Sequence, residues 1–147
     1  FVGSIFSLIA FISFVALINY SLTFAHTSLQ EIFGFLFKPL AWTMGVPWNE
    51  AQLVGSLMGE KITLTELIAY SNLRDLRLEH AISERTTIIA SYALCGFANF
   101  GSIGIQLGGI GAMAPERKKA LSTLALKAMI GGALASWMTA SIAGILI

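Results

Sequence analysis

Three stretches of the chain carry no charged residue: Phe1 to Leu22, Thr86 to Ala114 and Ala128 to Ile147. A helix rises 1.5 Å per residue, so about 20 residues cross the roughly 30 Å of bilayer hydrocarbon. The pattern predicts three membrane helices. The first and last read as continuous; the middle one is interrupted.

In the middle stretch, Ser83 is placed to cap a helix running from Thr86 to Leu94. Cys95-Gly96-Phe97-Ala98-Asn99-Phe100-Gly101-Ser102 follows, with two glycines bracketing an asparagine, and the apolar character resumes from Ile103 to Met113. Two readings fit. Glycines can line a face where membrane helices approach closely. Alternatively, the helix breaks near mid-membrane around Asn99, which is tolerated only where the freed backbone lines a cavity or binds a ligand.

The segment from Trp48 to Tyr70 has two arms of half-bilayer length on either side of Gly59-Glu60-Lys61. It fits a re-entrant helical hairpin with its tip near the midplane, and equally a pair of short helices at the interface. Leu29 to Trp42 alternates aromatic and leucine positions with Gln30, Glu31 and Lys38 until Pro39 breaks it, as an interfacial amphipathic helix does. Pro47 is placed to start the next helix. Ser71 to Arg85 reads as a solvated mixed-charge loop. The basic run Pro115-Glu116-Arg117-Lys118-Lys119 favours a cytoplasmic location, which puts the 71–85 loop and Ile147 outside. The expected division is a scaffold helix (1–27), an interfacial helix (28–46) and a half transport domain (47–147). The last comprises a hairpin (47–70), a loop (71–85), a broken helix (86–114) and a final transmembrane helix (115–147).

Composition agrees. The chain has 147 residues, 56% hydrophobic and only 12% charged, and its mean hydropathy is +0.77. A soluble body this small cannot bury that much apolar surface. A net charge of +1 gives no field for nucleic acid, and a single cysteine, Cys95, excludes an internal disulfide and a cysteine-based zinc site. The chain opens on Phe1 inside an apolar run, which reads as part of a longer polypeptide; the run lacks the positive leader of a signal peptide.

Glu66 is the first candidate for chemistry. It sits in the nearly apolar arm Leu64-Thr65-Glu66-Leu67-Ile68-Ala69, and a carboxylate there marks a ligand, an ion path or a paired charge. A salt bridge to Lys61 or another helix is the structural alternative. As an acceptor, Glu66 suits a ligand rich in hydroxyl donors. Asn99 both donates and accepts, and Ser102, three residues on, shares its face if the backbone is helical. Ordinary interhelical hydrogen bonding is the alternative for both. Gln106 reads as a packing or pore-lining contact. Glu60 and Lys61 read as turn charges that reach water, Asn49 and Glu50 as a helix start, and Asn19 as an interhelical hydrogen bond. His26 and His80 show no metal spacing, and Cys95 reads as a small packing residue. No enzyme motif is present, and Asp75 is the only aspartate.

These residues resemble the concentrative nucleoside transporter family. Gly59-Glu60-Lys61-Ile62-Thr63-Leu64-Thr65-Glu66-Leu67-Ile68-Ala69-Tyr70 is similar to its G-x-K-x-x-x-N-E-F-V-A-Y element. Ala93 to Ile105 resembles its A-L-C-G-F-A-N-x-x-S-I-x-I run, and Gly108 to Arg117 its G-G-x-x-x-x-A-P-x-R segment. The resemblance implies an all-α membrane protein: the second, C-terminal half of an inverted-repeat transporter, with transmembrane helices, a re-entrant hairpin and a discontinuous helix. It implies that Glu66, Asn99 and Ser102 hydrogen-bond the ribose hydroxyls, with Thr65, Phe100 and Gly101 as further site-lining positions. The base and the coupling ion, sodium or proton, would be held mainly by the other half. The family resemblance also implies a homotrimer, multi-pass in the plasma membrane (the inner membrane in a bacterium), with no cofactor and no nucleic-acid partner. Two positions depart from the pattern: Thr65 stands where the family has Asn, and Gly101 where many bacterial members have Ser.

The expected function is therefore ion-coupled nucleoside import. The competing readings are a carrier or channel for another small polar solute, and a non-transporting subunit in which Glu66 and Asn99 only pair helices.

Overall fold

The computed structural model describes residues 2–24 and 26–147, with side chains from residue 9 onward except residue 11; Phe1 and Ala25 lie outside the described residues. The described residues form seven α-helices and no strand: α1 (Val2–Thr23), α2 (Leu29–Thr43), α3 (Ala51–Thr63), α4 (Glu66–Leu78), α5 (Glu84–Leu94), α6 (Phe100–Met113) and α7 (Lys118–Leu146). A 3₁₀ turn, Pro115–Arg117, leads into α7.

Among the described residues, Pro115–Leu146 is long and apolar enough to cross a membrane, while Ile12–Thr23 and Phe100–Met113 are shorter apolar stretches. The outward face of α7 exposes Leu134, Met138, Ile142 and Ile145. α5 and α7 pack together, and Arg85 at the start of α5 donates to Gly144 O at 2.6 Å and to Ile147 O at the end of α7. The two helices therefore run antiparallel.

Asn19 joins α1 to α2. Its Oδ1 accepts from the backbone N–H of Leu29 at 2.9 Å, and its Nδ2 donates to Gln30 Oε1 at 3.2 Å. Pro39 does not end α2, which continues to Thr43. The ring removes one i→i−4 hydrogen bond, and the close packing of α2 on α3 offsets that loss.

The glycines of the hairpin segment act differently from the sequence expectation. Gly59 is not a turn: α3 runs through Gly59-Glu60-Lys61 to Thr63. Gly55 and Gly59 form a small-x-x-x-small face against α2. A Cβ on Gly59 would run into the Phe33 ring, and one on Gly55 into Gly34 O. The chain reverses five residues later, at Leu64-Thr65. There Thr65 caps α4 by accepting from Ile68 N at 3.4 Å. Threonine is a good N-cap residue, so this departure from the family's Asn keeps the helix start. The solvated loop expected over 71–85 is also corrected. α4 continues to Leu78, and a short connection at 79–83 leads to α5. The charges Arg74, Asp75 and Arg77 lie on a helix with one apolar side, where Ala69 and Leu73 are buried.

α4 and α5 pack on α3, and α7 covers α5. Their shared core includes Val54, Leu57, Met58, Ile89, Leu94 and Ala140. This packing fixes the chain reversal at 64–65 beside the helix break at 95–99.

Candidate functional site

The helix that begins at Glu84 does break. Ser83 caps it, accepting from Thr86 N at 3.3 Å, and it ends at Leu94. Gly96 has φ +97, a conformation that costs glycine nothing and other residues much. α6 then starts at Phe100 with Asn99 as its N-cap. Asn99 Oδ1 accepts from Ser102 N at 2.7 Å, and Ser102 Oγ donates to Asn99 O at 2.6 Å. Together with the longer contact from Asn99 N to Ser102 Oγ at 3.4 Å, these form a capping box. Both side chains are buried, at 1% and 2% exposure.

Asn99 keeps its amide nitrogen for the reversal at 64–65. Its Nδ2 donates to Glu66 Oε2 at 2.8 Å. Glu66 is the first residue of α4 and is partly exposed. A carboxylate in a helix's first turn meets the positive end of that helix's dipole, and here the N-terminus of α6 also points at it through Asn99. Glu66, Asn99 and Ser102 thus form one hydrogen-bonded chain across two helix N-termini. Asn99 has an extended backbone, so the helical-face condition is not met, and Ser102 faces back to the cap. Of the flanking positions, Thr65 is the α4 cap, Phe100 is 38% exposed at the start of α6, and Gly101 is buried.

A cavity of about 160 Å³ opens beside the break on the α7 side, lined by Phe97, Ser102, Gln106 and Met129 among others. Ser102 reaches its wall. Glu66 and Asn99 do not line it.

The sequence reading missed Lys61. Expected as a turn charge in water, it is fully buried. Its Nζ donates to Ala93 O at 3.1 Å and Cys95 O at 2.9 Å, at the carbonyl end of α5. Among the described residues no carboxylate pairs with it, so the Lys61–Glu66 salt bridge that stood as the structural alternative is not formed. Burying an ion costs several kcal/mol. Two charge-assisted hydrogen bonds contribute about 1.5–3 kcal/mol each, and the negative end of α5 adds up to about 2 kcal/mol, so the terms are of matching size. Ser136 Oγ donates to the same Cys95 O, and Tyr70 OH to Ser91 O within the last turn of α5, both at 2.6 Å. An ionisable residue in an apolar arm is the available signal, masked by Gly59, which by itself suggests a turn two residues earlier.

An all-helical fold with a spanning-length apolar helix, an interrupted helix and two helix N-termini meeting at a carboxylate defines part of a membrane transporter. Comparison with known proteins specifies which. The family model "Na+ dependent nucleoside transporter C-terminus" matches residues 2–144. Nucleoside permease NupC of Helicobacter pylori is 40% identical over 150 residues, covering 95% of this chain and 36% of that protein. Sodium/nucleoside cotransporter 1 of Mus musculus is 40% identical over 160 residues, covering 95% and 25%. A solved structure of CNTnw in an inward-facing substrate-bound state superposes with a TM-score of 0.83 at 46% identity, over 94% of this chain and 34% of that one. The chain belongs to the concentrative nucleoside transporter family and corresponds to its C-terminal part. This is a family of transporters, not enzymes. The chain spans between a quarter and just over a third of the length of these relatives.

Proposed function

We propose that this chain is the sugar-binding side of an ion-coupled nucleoside symporter. In this reading α3 and α4 form a re-entrant hairpin, α5 and α6 a discontinuous membrane helix, and the unit is one half of an inverted repeat that works as a homotrimer in the plasma membrane. The observation that carries the reading is the Glu66–Asn99 hydrogen bond, which joins the α3–α4 reversal to the helix break at 2.8 Å. A nucleoside's vicinal hydroxyls need an acceptor and a group that both donates and accepts. Glu66 supplies the first. Asn99, with one amide hydrogen beyond its bond to Glu66, supplies the second. Ser102 holds Asn99 in place, and its hydroxyl adds a contact on the same cap. Thr65, Phe100 and Gly101 line the site.

The named activity of the mouse relative, sodium/nucleoside cotransport, favours sodium over proton as the coupling ion, held mainly outside this chain. Coupled uptake requires ion and nucleoside to strengthen each other's binding. The test is radiolabelled uridine uptake into vesicles holding the full-length protein, with sodium or proton gradients imposed separately. Sodium-driven accumulation supports the reading. Failure of every nucleoside with folded protein would move the substrate to another small polar solute.

A further inference from the structure

Two hydrogen-bonded rungs tie the hairpin to the broken helix. One joins Glu66 to Asn99. The other joins Lys61, five residues earlier, to the carbonyl of Cys95, four residues earlier, with Ala93 O as a second acceptor. The second rung has the makings of a cation site: backbone carbonyls freed by a helix break, at the negative end of a half-length helix, with Lys61 and Ala93 buried. Unwound carbonyls and half-helix C-termini are what membrane transporters use to hold small cations. Here the cation present is an ammonium carried on the chain.

We propose that the C-terminal end of α5 is a cation site whose resident occupant is the Lys61 ammonium, and that this tethered charge, not a dissociable ion, holds Asn99 in register with Glu66. The role assigned to Asn99 rests on the sugar-site reading above; the cation site does not.

The local structure argues for tethering. Lys61 is fully buried, and Gly55 and Gly59, on either side of one turn of α3, lock that helix against α2. The ammonium is therefore delivered from a fixed helix. Cys95 O also accepts from Ser136 Oγ on α7, so the break is held from both sides. Between Cys95 and Asn99 lie three residues, one of them Gly96 in the left-handed region. Such a link has little stiffness of its own, and an anchor at Cys95 sets where the Asn99 cap begins. Lys61 is thus a positioning residue for the sugar site.

The test uses the full-length protein and two readouts, uridine affinity and thermal midpoint. Lys61→Ala removes the equivalent of n-propylammonium. Its uridine affinity is expected to fall at least tenfold and to recover saturably with added n-propylammonium but not with n-propanol. The amine is also expected to raise the variant's thermal midpoint without nucleoside present. Lys61→Arg, which keeps the charge, is expected to retain more affinity than Lys61→Met. Parent-like uridine binding by Lys61→Met would overturn the positioning role. Absence of any amine effect on either readout in Lys61→Ala would overturn the cation site. Where Lys61→Ala cannot be recovered folded, equal loss in the Arg and Met variants overturns the proposal. Glu66→Gln, run alongside, separates the two readings: unaltered uridine binding there defeats the sugar-site reading, while the amine's effect on the thermal midpoint still decides the cation site.

Discussion

Asn99 caps α6 with its side-chain oxygen and donates its side-chain nitrogen, at 2.8 Å, to Glu66, the first residue of α4. One amide therefore does two jobs, one for the fold and one for the site. The two can be separated by substitution, because each uses a different atom.

Glu66→Gln keeps the side chain's size and removes the charge. An interaction with a charged acceptor contributes about 1.5–3 kcal/mol, so nucleoside affinity is expected to fall on the order of ten- to a hundredfold. Equilibrium uridine binding to the full-length protein measures it. Affinity equal to the parent's would remove Glu66 from the site.

Asn99→Asp keeps the acceptor for Ser102 N and so keeps a good N-cap. It replaces the donor with an oxygen facing Glu66. The expected result is a loss of nucleoside binding and a lower thermal midpoint, because two carboxylates at hydrogen-bond distance repel. Asn99→Ala is expected to lose both, with about 1 kcal/mol of stability going with the cap. If Asn99→Asp binds uridine normally, the Nδ2 contact to Glu66 has no part in recognition.

Much of this was legible in the residues, and the misses have one physical origin. The break at Cys95–Asn99, the Ser83 cap and the polar character of the Glu66 and Asn99 positions follow from local rules: small residues at a helix break, a hydroxyl before a helix, a carboxylate in an apolar arm. The hairpin turn was misplaced by about five residues because a glycine signals either a turn or a close approach, and only the partner decides. Phe33 on α2 is that partner for Gly59, 26 positions away in sequence, beyond any local pattern. The same error hid Lys61, since a lysine beside a turn belongs in water and a lysine inside a helix pointing at α5 does not. The helix over Glu66–Leu78 was lost because its polar outer face dominates the composition; Ala69 and Leu73, one turn apart, are its buried stripe.

Glu50 supplies a pH dependence away from the site. It lies just ahead of α3, and its Oε2 accepts from Ser83 N and Ser83 Oγ at 3.1 and 3.0 Å, pinning the start of α3 to the start of α5. Burial pushes its carboxyl pKa up, but hydrogen bonds from Thr86 and Ser83 outweigh that and hold it below the ordinary value of 4.5. A depressed carboxyl stabilises the fold fully above the unfolded pKa and loses that contribution as pH falls through the folded one. Thermal midpoint is therefore expected to fall as pH drops below about 4.5, and Glu50→Gln should flatten that part of the profile. An unchanged slope in the variant would assign the acid sensitivity to other groups.

The α2–α3 contact allows the most direct check of the fold. At Gly59 a Cβ would overlap Cβ and Cγ of Phe33, whose ring also stacks on Phe37 with centroids 5.6 Å apart. Neither ring can swing away without disturbing the other, and Phe37 in turn touches Trp137 on α7. Forcing extra volume into such a contact costs about 1–3 kcal/mol. Gly59→Ala is thus expected to lower the thermal midpoint of the full-length protein, while Gly109→Ala, where a new Cβ meets nothing within 4 Å, should leave it unchanged or raise it slightly through better helix propensity. Because α3 carries Lys61, the Gly59 variant should also weaken uridine binding. Equal tolerance at both glycines would mean that α2 does not pack against α3 as described. A loss of stability with uridine affinity intact would mean that the position of α3 is not transmitted to the break.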